Sequence, residues 1–95
     1  MNLVELAERI ISEGKTQVLD CYGETVAMLD KNSVFYVRQR YTLGKFYGWN
    51  ICYIAPDGQE EVMENYDDEK QANQIIEMLK ERVKNGEQYF MLPSN

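Results

Sequence analysis

Towards the C-terminus, apolar residues return every three or four positions: Ala72, Ile75, Ile76, Leu79 and Val83. This is the 3.6-residue period of a helix with one buried stripe. The flanks agree with it. Asp67 or Asp68 serves as N-cap, and Asp68 with Gln71 has capping-box spacing. Acidic residues in the first turn oppose the positive end of the helix dipole, and Lys80, Arg82 and Lys84 crowd the last turn, where cations belong. Gly86 closes the helix. The same period appears near the N-terminus in Leu3, Leu6, Ala7 and Ile10, with Asn2 and Glu5 at capping-box spacing and Gly14 suited to the residue past the end. A first helix is predicted over roughly 3–13.

Between the two helices the period drops towards two. Segments 16–21, 25–29, 33–39, 46–55 and 59–65 read as strands, separated by turn residues around Gly23, Asp30, Gly44 and Pro56. In segment 46–55, Tyr47, Trp49, Ile51 and Tyr53 alternate onto one face. Segment 59–65 alternates poorly, with Glu60 and Glu64 on the face of Val62, which suits a charged edge strand. The tail 88–92 adds a short strand or packs on the core. Short loops between consecutive strands imply antiparallel neighbours. The expected fold is therefore α+β: an antiparallel β-meander of about five strands packed against a long C-terminal helix, with an extra N-terminal helix that shares that face or closes one end.

Composition narrows the class. The chain has 95 residues, of which 44% are hydrophobic and 12% aromatic, so residues 1–95 are expected to form a single folded domain. No run reaches the ~20 apolar residues of a membrane span. The N-terminus lacks the basic and apolar regions of a signal peptide. A cytoplasmic location without membrane partners is the expectation, with Cys21 and Cys52 as free thiols. The chain has no histidine. That removes the commonest general base and metal ligand and every histidine-activated nucleophile. No phosphate loop, dinucleotide fingerprint or CxxC motif occurs. No spacing pairs two carboxylates for acid–base work. No catalytic residue, metal or cofactor is expected.

The net charge of −6 is segregated. Residues 57–69 carry seven acids and no base, among them Asp57, Glu60, Glu61, Glu64, Asp67 and Asp68. Their spacing does not fit a calcium loop. They read either as a solvated strand edge with helix caps or as a partner-binding surface that imitates nucleic acid. Residues 31–45 carry four bases and no acid. Within and just after them, Arg38, Arg40 and Lys45 interleave with Tyr41, Phe46 and Tyr47. Arginine and aromatics are the usual anchors of protein interfaces. The same mixture suits base stacking or simply the flanks of a turn. An acidic chain disfavours nucleic acid through its overall field.

From Tyr66-Asp67-Asp68-Glu69-Lys70-Gln71-Ala72 to Phe90-Met91-Leu92-Pro93 the chain resembles small uncharacterised proteins of phages and mobile elements in Gram-positive bacteria. These show a short meander, a tyrosine before an acidic helix cap, an amphipathic helix and a final aromatic-x-x-Pro. The resemblance covers Val62 to Pro93 and, loosely, the meander. It implies no catalytic residues. In size and charge alone the chain is also similar to anti-CRISPR and other anti-defence proteins. What these likenesses imply is a non-catalytic protein that binds a host protein or complex, as a stoichiometric inhibitor of a nucleic-acid-handling defence system. The other open readings are a small nucleic-acid-binding module using hairpin 38–47 and a homodimer.

Overall fold

The computed structural model describes Asn2 and residues 14–95. The N-terminal helix expected over 3–13 lies outside the described residues. The remainder is α+β, with six strands and one helix: β1 (Thr16–Leu19), β2 (Thr25–Leu29), β3 (Phe35–Thr42), β4 (Lys45–Ile54), β5 (Glu60–Tyr66), α1 (Glu69–Lys84) and β6 (Tyr89–Met91).

The single five-strand meander is corrected to two three-stranded sheets, ordered β2-β1-β6 and β3-β4-β5. The break falls between β2 and β3. There, the Ser33 N–H bonds back to the Asp30 carbonyl at 3.0 Å, and the Asp30 N–H donates to the Ser33 hydroxyl at 3.0 Å. The tail takes the place beside β1 that a continuous meander would have left open. It runs parallel to β1, with Val18 opposite Phe90. Its ends are tied by Gln17 N–H to Gln88 O at 2.9 Å and Leu92 N–H to Leu19 O at 2.7 Å. The driving force is burial: Phe90 and Leu92 are both in the core.

The helix forms as the periodicity requires, though at 16 residues it is of middle length rather than long. Ala72, Ile75, Ile76, Leu79 and Val83 are its buried residues. Of the two candidate N-caps it is Asp68, whose carboxylate accepts the Lys70 N–H. The far end closes with two bonds, Gly86 N–H to Val83 O and Glu87 N–H to Arg82 O, the pair that defines a Schellman ending. One core unites both sheets. Val18, Ala27 and Leu29 of the first meet Ile51, Met63 and Tyr66 of the second around the helix stripe.

Two irregularities re-aim the second sheet. The β4–β5 register slips between Ile51 and Cys52, which leaves Met63 without a partner and turns it into the core. This is why segment 59–65 alternates poorly. Gly48 has φ of 90°, and next to it Phe46, not Tyr47, meets Trp49, edge to face at 4.6 Å. The expected shared face of Tyr47, Trp49 and Ile51 is thus corrected: the kink at Gly48 takes Tyr47 off it.

The Tyr66 hydroxyl is buried and donates to the Pro93 carbonyl at 2.6 Å, clamping the tail against the end of β5. Burial, then the charge of Glu64, raises its pKa far above the ordinary tyrosine value.

Candidate functional site

Hairpin β3–β4 is where the chain departs from what folding alone demands. Its tip is a two-residue loop, Leu43-Gly44, between the paired Thr42 and Lys45. Both loop residues have positive φ, 53° at Leu43 and 77° at Gly44. A two-residue hairpin loop with this backbone favours Asn-Gly or Asp-Gly, because the twist matches the strands and the first residue must enter the left-handed region. Leucine there costs on the order of 1 kcal/mol. It gains no burial in return, since Leu43 is 99% exposed.

The surroundings extend the patch. All ten residues 38–47 are exposed. Tyr41 packs on Phe46 at 5.5 Å, and Phe46 packs on Trp49, so an aromatic row runs from near the tip into the body. Close to it, the Arg40 guanidinium stands 6.0 Å from the Tyr47 ring. Arg40, Phe46 and Tyr47 line a depression of about 410 Å3 at the hairpin base, together with Asn65 and Asp67. Contiguous apolar surface of this kind marks interaction sites, whereas single exposed leucines do not.

The second candidate cluster lies on the face of the sheet away from the core. Glu60 accepts from the Tyr36 hydroxyl and, at 2.7 Å, from Arg38 Nη1. The Tyr36 bond, followed by the arginine, holds the Glu60 carboxyl below the usual carboxylate range. β3 and β5 flank β4, so this bridge crosses the central strand, where Cys52 pairs with Tyr36 on one side and Val62 on the other. Cys52 is fully buried, and burial followed by the charge of Glu60 pushes its thiol up to about 11. A thiol in that state is a poor nucleophile. Cys21 is exposed. A thiol reagent at neutral pH is therefore expected to modify one cysteine rapidly in the native protein and two after denaturation. Rapid modification of both in the native state would contradict the burial of Cys52.

The other acidic residues are spread out. Asp57 accepts the Gln59 N–H within a turn. Glu61 and Glu64 pair with Tyr53 and Ile51 and so lie on the core side of the edge strand, opposite Glu60. Asp67 donates its backbone N–H to the Asn95 side chain, and Asp68 caps the helix. The basic-aromatic residues Arg40, Tyr41, Lys45, Phe46 and Tyr47 are by contrast drawn into one projecting hairpin, from which Arg38 is diverted to Glu60. The sequence did not single out Leu43. A leucine is an unusual choice for that turn, and the signal was a two-residue Leu-Gly loop between strand residues.

Among the described residues no group of three or more His, Cys, Asp or Glu side chains is placed to hold a metal ion, and no helix is long and apolar enough to cross a membrane. No protein-family model, curated protein or solved structure matches the chain.

Proposed function

We propose that the protein acts by binding a larger protein stoichiometrically, with Leu43 at the tip of the β3–β4 hairpin as the anchor. The observation that carries this reading is the pairing of two costs at one residue: a leucine held at φ 53° and left 99% exposed. Burial in an apolar pocket on a partner would offset both. Tyr41, Phe46 and Tyr47 supply rigid contact area around it, and Arg40 and Lys45 favour a pocket with an acidic rim. The resemblance to phage and anti-defence proteins makes a host nucleic-acid-handling complex the partner class to try first. The hairpin would then act by occupying a functional surface.

Leu43→Asn separates binding from folding. Asparagine tolerates the left-handed region, so the variant should be as stable as the parent or more stable by about 0.5–1 kcal/mol. Its affinity for the partner should fall roughly thirtyfold or more, as for an interface hot spot. Affinity capture from a host lysate with both forms, followed by titration of whatever the parent retains, reads this out. Equal retention by both forms would overturn the anchor, and complete inactivation of a partner by substoichiometric protein would overturn the stoichiometric mechanism. The nucleic-acid alternative has little charge to work with. Arg38 is engaged by Glu60, which leaves Arg40 and Lys45 to meet phosphates. Sub-micromolar binding to a single-stranded oligonucleotide at about 0.15 M salt would replace the protein-binding reading.

A further inference from the structure

Lysines gather away from the hairpin tip, at the break between the two sheets. A cavity of about 520 Å3 opens between the turn at 30–34 and the last two turns of α1. Lys31 enters it from the turn and Lys80 and Lys84 from the helix, over a floor that includes Val34, Phe35 and Val83. An adjoining cavity on the other side of the same turn is lined in part by Lys15. Four of the chain's six lysines thus surround one turn, in a protein whose acids outnumber its bases 16 to 10.

The ordinary reasons for these lysines cover them only in part. Among the described residues, neither Lys31 nor Lys84 has an ion-pair partner, and Lys80 has only an exposed 3.4 Å contact with Glu77. Cations do answer the field at a helix C-terminus. That accounts for Lys84, but Lys80 precedes the last turn and Lys31 comes from another element. Asp30 is the one carboxylate in the described lining, and its Oδ1 accepts the Asn32 N–H. Three lysines against one carboxylate leave the described lining with an excess of positive charge, which suits an anion.

We propose that this cavity binds a small organic phosphate, with Lys31, Lys80 and Lys84 around the phosphate and the apolar or aromatic part of the ligand on Val34 and Phe35. The donors favour phosphate over carboxylate. Lysines are compact point charges that can converge on several terminal oxygens, while a planar carboxylate is better met by an arginine fork. The size favours a small molecule over a nucleic-acid strand. The volume lies in the range of small-ligand sites, and a net charge of −6 repels a long polyanion, whereas a single phosphate responds to charges within about 8 Å.

The test is an amide NMR titration of the intact protein with adenosine monophosphate and with phenyl phosphate, alongside adenosine and phenol as uncharged arms. The expected result is saturable shifts at Val34, Phe35, Val83 and Lys84 with at least one phosphate, at a Kd below about 1 mM, and none with the uncharged arms. The double variant K31Q/K84Q, whose spectrum should stay dispersed because both side chains are exposed, should bind about tenfold or more weakly. The hairpin variant K45Q should bind as the parent does. No saturable shift with either phosphate overturns the site. So does equal binding by K31Q/K84Q, or equal shifts with the uncharged arms.

Discussion

Gly48→Ala is expected to lower stability by about 2–4 kcal/mol. Two penalties combine. The residue sits at φ 90°, where an L side chain crowds its own backbone. A Cβ there would also lie 2.5 Å from the Tyr66 carbonyl oxygen and 3.3 Å from its carbon. That neighbour is backbone in a paired strand and cannot rotate away. Gly44 supplies the control, since it has φ 77° but a methyl group there would meet nothing within 4 Å. Gly44→Ala should therefore show the backbone penalty alone, and the difference between the two variants isolates the collision with Tyr66. Chemical denaturation of both measures it. A loss at Gly48 no larger than at Gly44 would mean that β4 and β5 do not approach this closely.

The same substitution reports on the hairpin. Gly48 is where β4 leaves the body, and Asn65 holds it there by donating from Nδ2 to the Tyr47 carbonyl at 3.0 Å. If β4 relieved the clash by swinging outward, the Phe46–Trp49 edge contact would open. Trp49 is the chain's one tryptophan, so its fluorescence would shift even before unfolding. The kink and the exposed tip therefore belong to one device: a glycine that can accept a close backbone approach lets the sheet project a hairpin bearing Leu43.

How much of this was legible in the sequence follows from the range of the interactions involved. The α1 stripe, its Asp cap and its ending at Gly86 are set by residues within a few positions of one another, and periodicity read them correctly. Strand positions were also legible, because β-branched and aromatic runs between turn residues act locally. Sheet membership was not. Whether β3 continues from β2, and whether 89–91 pairs with β1 some seventy residues earlier, depends on contacts that no local pattern encodes. Bulges were equally hidden: a one-residue slip at Met63 and a kink at Gly48 each change which side chain faces the core. At the candidate site, composition pointed to the hairpin through Arg40, Tyr41, Lys45, Phe46 and Tyr47. It could not say that Arg38 would be taken up by Glu60, nor that the acids of 57–69 would be divided between two faces of an edge strand.

Leu79→Ala is expected to cost about 2–5 kcal/mol, the range for truncating a buried leucine. Leu79 is fully buried at the middle of the helix stripe, in the cluster that includes Val18 and Leu29 from the first sheet and Ile51 and Met63 from the second. The helix packs chiefly on β3, β4 and β5, so a hole there opens the second sheet's side of the shared core. Ile76→Ala, beside it on the stripe, should fall in the same range. Because side chains of both sheets are buried in this one cluster, the two sheets are expected to fold together. The parent should thus unfold in one transition, with Trp49 fluorescence, which reports on the second sheet, coinciding with far-UV circular dichroism. Val18→Ala, placed in the first sheet, should shift both signals equally, though it removes less volume. A Leu79→Ala protein that loses less than about 0.5 kcal/mol, the usual scale of a surface change, would show that the helix does not seat on this core. Separate midpoints for the two probes in the Val18→Ala protein would show that the sheets are independent units, and the hairpin would then be carried by a three-stranded sheet and helix alone.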